Sequence, residues 1–148
     1  MRYHCHGIEH YHQATLGLLA DKGGSFRLQG DGELYTEFHS KIRNLLKPED
    51  YEPFQSGSEP KWKTRFRWAL KHMRQDGRVL WHGRGQYEIT EPGRSYLSTT
   101  ALPLELMIEE VEQLENGEWR VRYFSPDGSL AYEFGGRASD LTEDDFAA

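Results

Sequence analysis

The stretch from Lys61 to Leu97 constrains the fold of this 148-residue chain more than any other. Phe66, Ala69, Leu70 and Met73 recur at helical spacing and give an apolar face to a helix expected over residues 61–76. Gly77 stands where such a helix takes its C-terminal cap. Arg78 to His82 and Gln86 to Thr90 follow as two short runs rich in β-formers, joined across Gly83-Arg84-Gly85, and read as a hairpin. A short helix from Glu91 to Ser98 closes the pattern. A helix delivering a two-stranded ribbon in this way implies a winged helix-turn-helix.

Charge follows the same boundary. Residues 61–97 hold nine of the eighteen Lys and Arg residues against three acids, Asp76, Glu88 and Glu91. Residues 1–60 carry a formal charge of −3, residues 61–97 one of +6 and residues 98–148 one of −9. A chain of net charge −6 thus concentrates its cations in one quarter of its length, which makes double-stranded DNA the leading partner and one face the place of contact.

Within the helix, Lys63, Arg67, Lys71 and Arg74 follow one another at i, i+4 and i, i+3 and share a stripe. Cations so spaced reach phosphates, and arginine pairs bidentately with guanine. Lys61, Trp62 and Thr64 complete the expected DNA-contacting set, with Trp62 a candidate for stacking on an unstacked base. Arg84, between two glycines, is the expected wing contact. The competing readings are a solvated surface helix, a packed Trp62 and a tight turn with an incidental arginine.

Upstream, helices are expected over Glu9–Asp21 and Glu33–Leu46, the first ended by Lys22-Gly23-Gly24-Ser25 and the second by Lys47-Pro48. Residues 26–32 (FRLQGDG) read as a loop or short strand, and Tyr51 to Pro60 as a polar loop. Downstream, Leu104 to Leu114 fits a strand or a helix. Glu115-Asn116-Gly117 and Ser125-Pro126-Asp127-Gly128 are turns flanking strands at Trp119–Phe124 and Leu130–Phe134, an antiparallel meander. Asp140 to Ala148 is an acidic tail. The expected organisation is α+β: a winged-helix DNA-binding domain over 1–100 and a small β appendage over 101–148.

The run Arg67-Trp68-Ala69, Met73, Gly77, Arg84-Gly85, Tyr87, Ile89-Thr90 and Gly93 resembles the Mrr N-terminal-like winged-helix family over residues 11–97 or so. The resemblance implies a DNA-binding module of modification-dependent restriction systems, some relatives of which read a methylated base. It implies a core or half-core place for Trp68. Two departures stand out: several extra residues after Ser25, and no Asp…Glu-x-Lys core or His-Asn-His arrangement after Leu97. The resemblance therefore supports a DNA-binding module and says nothing for cleavage by this chain; the acidic C-terminal region is read separately as a surface for a nuclease or other protein partner, or for a dimer. The alternative is a protein–protein interaction module that binds no DNA.

Other constellations carry less. His4, Cys5, His6, His10 and His12 have zinc-ligand chemistry, but three are consecutive and no second ligand pair completes a tetrahedron, so neither metal nor cofactor is expected. Cys5 with a nearby histidine, or Ser95 with His82, lacks a third orienting group, and no catalytic residue is assigned. One cysteine, no apolar leader and no long apolar run lead to the expectation of a cytoplasmic protein without membrane contact.

Overall fold

A computed structural model describes residues 1–28, 32–54, 59–114 and 118–137. The expected turn at Glu115–Gly117, the acidic tail and the middle of the 51–60 loop lie outside the described residues. The fold is α+β. Helix α1 (Ile8–Asp21) lies at its centre, touching α2 (Glu33–Ile42), α3 (Lys61–Gln75) and α4 (Glu91–Thr99). That position explains why α1 buries Ile8, Tyr11, Leu16, Leu18 and Leu19, residues that do not fit on one narrow stripe. The second expected helix is shorter than its pattern, because its last turn tightens into a 3-10 helix at Arg43–Leu45. Phe38 of α2 stacks on Phe66 of α3, with ring centroids 4.0 Å apart.

The hairpin forms where expected, as β3 (Val79–Trp81) and β4 (Gln86–Ile89). The stretch that reads as an insertion contributes β2 (Ser25–Arg27), which pairs with β4 to give a three-stranded sheet in the order β2-β4-β3. Phe26 faces Tyr87 there, and both are buried. Thr90 caps α4 by accepting the Gly93 amide at 3.1 Å, and a Cβ at Gly93 would lie 2.2 Å from the Arg78 carbonyl oxygen. Glycine at 93 lets α4 lie directly on the start of the hairpin.

The ambiguous stretch after Pro103 is a strand, β5 (Met107–Gln113), followed by β6 (Glu118–Phe124) and β7 (Leu130–Arg137). Their sheet has a fourth member that the sequence pattern does not disclose. The polar N-terminus forms β1 (Arg2–Cys5), antiparallel to β5, so the order is β1-β5-β6-β7. The outer face is a ladder of alternating charge, in which Arg2 meets Glu110, Glu110 meets Arg122, and Arg122 meets Glu133. Cross-strand pairs of this kind favour one register. The inner face carries Val111, Val121, Tyr123 and Phe134, which pack toward α3.

Charge also lies in the interior. Arg65 of α3 is completely buried. Its Nε and Nη2 donate to the two Glu109 carboxylate oxygens at 2.9 and 2.6 Å, and its Nη1 donates to Asp50. The Tyr123 hydroxyl donates to Glu109, and the Lys47 amide donates to the second Asp50 oxygen at 2.8 Å. Burial disfavours the guanidinium charge, but the Glu109 carboxylate and the other groups around it together outweigh that cost, and Arg65 holds its proton more firmly than an ordinary arginine. Removing one member of such a set strands the others' charge in a dry interior, at about 3–5 kcal/mol. Glu109→Gln is expected to destabilise the fold by that amount, measured as the change in urea-unfolding free energy; a loss below about 1 kcal/mol would show the network to be solvated.

A second polar junction holds β7 to the end of α3. The Tyr132 hydroxyl bonds to His72 Nδ1 and donates to Asp76 at 3.1 Å, while the buried His12 ring stacks on His72, centroids 5.7 Å apart. Arg78 Nη1 lies 3.0 Å from His12 Nδ1. Burial, then the charges of His72 and Arg78, hold the His12 imidazole well below its usual 6.5. Below about pH 6.5 the unfolded chain takes up a proton that folded His12 refuses, so stability falls as pH drops through that value. His12→Gln is expected to lose less stability than wild type between pH 7.5 and pH 5.5, by up to about 1.4 kcal/mol per pH unit, in urea titrations at both values.

Candidate nucleic-acid interface

Helix α3 divides its surface into stripes. Phe66, Ala69, Leu70 and Met73 are buried against α1 and α2, as their spacing predicts. Arg65, Trp68 and His72 form a second stripe, facing Glu109, Trp119, Phe134 and Tyr132 of the four-stranded sheet. Trp68 is buried, as the resemblance implies. The third stripe carries Lys63, Arg67, Lys71 and Arg74, joined by Thr64 and Gln75.

The structure gives each residue of the expected DNA-contacting set a definite environment. Lys63 holds its ammonium 4.4 Å from the centre of the Tyr35 ring, and Arg74 its guanidinium 3.9 Å from that of Trp81. Both stay half-buried, with the cation laid on a π-face. Lys71 is half-buried on the same stripe. Thr64 donates its hydroxyl to Glu59 at 3.0 Å. Arg67 grips the same carboxylate with both terminal nitrogens and is only 7% exposed. Burial works against its charge, but the Glu59 hydrogen bond and carboxylate charge raise its pKa.

Two of the expected contacts turn inward. Lys61 is 3% exposed; its ammonium donates to the carbonyls of Glu49, Glu52 and Pro53 at 3.2–3.5 Å and lies over the Tyr3 ring. Trp62 is buried against Phe38 and His39, so the exposed stacking surface expected of it is absent. Both sit at the helix start, where the polypeptide around the 3-10 turn at Pro48–Tyr51 closes over α3. Helical spacing does not reveal that cover.

At the hairpin tip Gly83, Arg84 and Gly85 all adopt positive φ, with Arg84 at 52°. Arg84 is exposed, and its carbonyl accepts a 2.8 Å bond from Nη1 of Arg27, an exposed residue of β2. The tip thus carries two arginines, Arg84 from the turn and Arg27 from β2. Arg27 is absent from the expected set, although the alternation of Phe26 and Leu28 inward with Arg27 outward is its strand signal.

The histidines near the N-terminus diverge. His4 is exposed, Cys5 is buried with its thiol pKa raised by that burial, and His12 belongs to the junction with His72. His6 and His10 remain adjacent, rings 4.8 Å apart, and His10 Nε2 lies 2.8 Å from the Pro103 carbonyl oxygen. Among the described residues no three His, Cys, Asp or Glu side chains converge on a point where a metal would sit.

Four helices, a β2-β4-β3 sheet and a basic stripe leading into a hairpin are therefore in place, and the segment that carries them matches a known family. The sequence model of the Mrr N-terminal domain matches residues 11–99, more than half of the chain. The chain belongs to the Mrr N-terminal domain family. Membership associates it with restriction-system proteins. No curated protein and no solved structure matches the chain. The Mrr N-terminal domain match runs from within α1 to the end of α4 and takes in the hairpin, but neither β1 nor β5 to β7. Arg65, inside the matched segment, has its bidentate partner Glu109 outside it. The Mrr N-terminal domain of this chain is thus completed by strands from both flanks. No helix among the described residues is long and apolar enough to cross a membrane.

Proposed function

We propose that this chain is a winged helix-turn-helix module that binds double-stranded DNA, with α3 in the major groove and the β3–β4 hairpin as the wing. One observation carries the reading. The Lys63, Arg67, Lys71 and Arg74 stripe of α3 runs beside a hairpin tipped by Arg84 and Arg27, on a chain whose net charge is −6. Arg74 on the Trp81 ring joins helix and hairpin into one basic surface. Lys61 and Trp62 support the start of the helix from within. Strands β5 to β7 meet a different stripe of α3, away from the cations proposed to meet phosphate. The division into a DNA-contacting unit within residues 1–100 and an acidic β unit, completed by β1, belongs to the same proposal.

Family membership supports a place in a restriction-type system, with the module as the part that selects DNA, including DNA carrying methylated bases, and a nuclease as partner. Fluorescence anisotropy with matched duplexes, unmodified, adenine-methylated and cytosine-methylated, tests this across a salt series. Salt-sensitive binding with preference for one duplex is the expected result. Absence of binding even at low salt would replace the reading with a protein-contact role.

Two variants localise the surface. Lys71→Ala with Arg74→Ala is expected to weaken every duplex and to reduce the salt slope by about 0.9 for each phosphate no longer neutralised. Arg84→Gly tests the wing separately. A non-glycine residue in the left-handed region costs about 1 kcal/mol, so glycine there is expected to leave the thermal midpoint unchanged or higher while DNA affinity falls. Unaltered affinity would remove the tip from the interface.

A further inference from the structure

The basic stripe is not bare: its most enclosed cation already holds an anion. Both terminal nitrogens of Arg67 grip the Glu59 carboxylate, Nη1 at 2.7 Å from Oε2, and the Thr64 hydroxyl donates to Oε1 at 3.0 Å. Arg67 Nε is buried with no hydrogen-bond partner, so a third donor on the same group is unsatisfied. Glu59 lies just before the first turn of α3 and remains partly exposed. Carboxylate and phosphate present the same pair of oxygens to an arginine fork, and phosphate adds further acceptors that a carboxylate lacks.

We infer that Arg67 and Thr64 form a binding site for one DNA backbone phosphate, and that in the free protein Glu59 occupies it as an internal stand-in which DNA displaces. This inference rests on the DNA-binding reading and adds a mechanism to it. Displacement moves the Glu59 carboxylate toward solvent and gives Arg67 a ligand able to use its remaining donor. Loose, nonspecific DNA must compete with a carboxylate tethered a few residues away, while a correctly seated duplex brings its phosphate to the fork with the rest of the interface already formed. Glu59 thereby raises the threshold for weak binding.

The test is a double-mutant cycle on the full chain, read by anisotropy with an unmodified duplex over a salt series. Glu59→Gln keeps the side-chain shape without the charge and is expected to bind several-fold tighter with an unchanged salt slope, since Arg67 neutralises the same phosphate in both complexes. In the Arg67→Gln background the same substitution is expected to give no gain. Glu59→Asp, which keeps the charge but withdraws it from the fork, is expected to tighten binding in the same direction, and circular dichroism checks the fold of each variant. An equal gain with and without Arg67 would overturn the site, since Glu59 would then act only by general repulsion. Unchanged or weaker binding by Glu59→Gln, with wild type binding normally, would overturn the displacement alone. Binding by no variant and not by wild type would overturn both this inference and the DNA-binding reading.

Discussion

The contact between Arg65 and Glu109 governs how the two halves of this protein meet. A guanidinium and a carboxylate, both without solvent exposure, must find each other within a tight angular tolerance, because neither has water to fall back on. Asp50 fixes the third side of the guanidinium, and Tyr123 and Tyr11 close the remaining directions. Hydrophobic contacts between α3 and the sheet bring the surfaces together without fixing their register. The ionic set admits one register, and Trp68 on Phe134 and His72 on Tyr132 then follow as consequences of it.

A single helix consequently serves three environments. The apolar stripe of α3 holds the helical core, the stripe of Arg65, Trp68 and His72 holds the sheet, and the remaining stripe carries the cations proposed to meet DNA. Seven Lys, Arg and His side chains on fifteen residues serve opposite purposes according to the direction in which they project. Aromatic rings manage the half-exposed ones: Tyr35 under Lys63 and Trp81 under Arg74 limit the positions these long side chains sample, so fewer conformations are lost when a ligand arrives.

Periodicity made the helices and the hairpin legible in the sequence, since each carries enough apolar residues at one spacing to exclude the alternatives. The strand β5 is ambiguous in sequence because Met107, Val111 and Leu114 allow a helix while Ile108 and Val111 favour a strand, and only pairing with β1 and β6 decides it. β1 itself was hidden. Four residues with two outward polar side chains carry little strand signal, and the partner lies a hundred residues away. Arg65 was hidden for another reason: among so many cations on α3, nothing local marks the one that points inward. The burial of Lys61 and Trp62 is not legible in the sequence, because Lys61 is covered by residues 49–53 and Trp62 by Phe38 and His39, all through tertiary contact. Glu59 as the partner of Arg67 had the same kind of obscurity.

The pairing of β1 with β5 also sets a timetable. Arg2 is matched with Glu110 across a separation of 108 residues, and Arg65 waits 44 residues for Glu109. At a ribosomal rate of about 5–20 residues per second, the first strand has emerged roughly 5–20 s before its partner exists. Throughout that interval Tyr3 and Cys5 have no sheet to join, and over its last 44 residues Arg65 has no Glu109 to meet. Completion of the helical half thus waits on β5, a segment outside the region that defines its family.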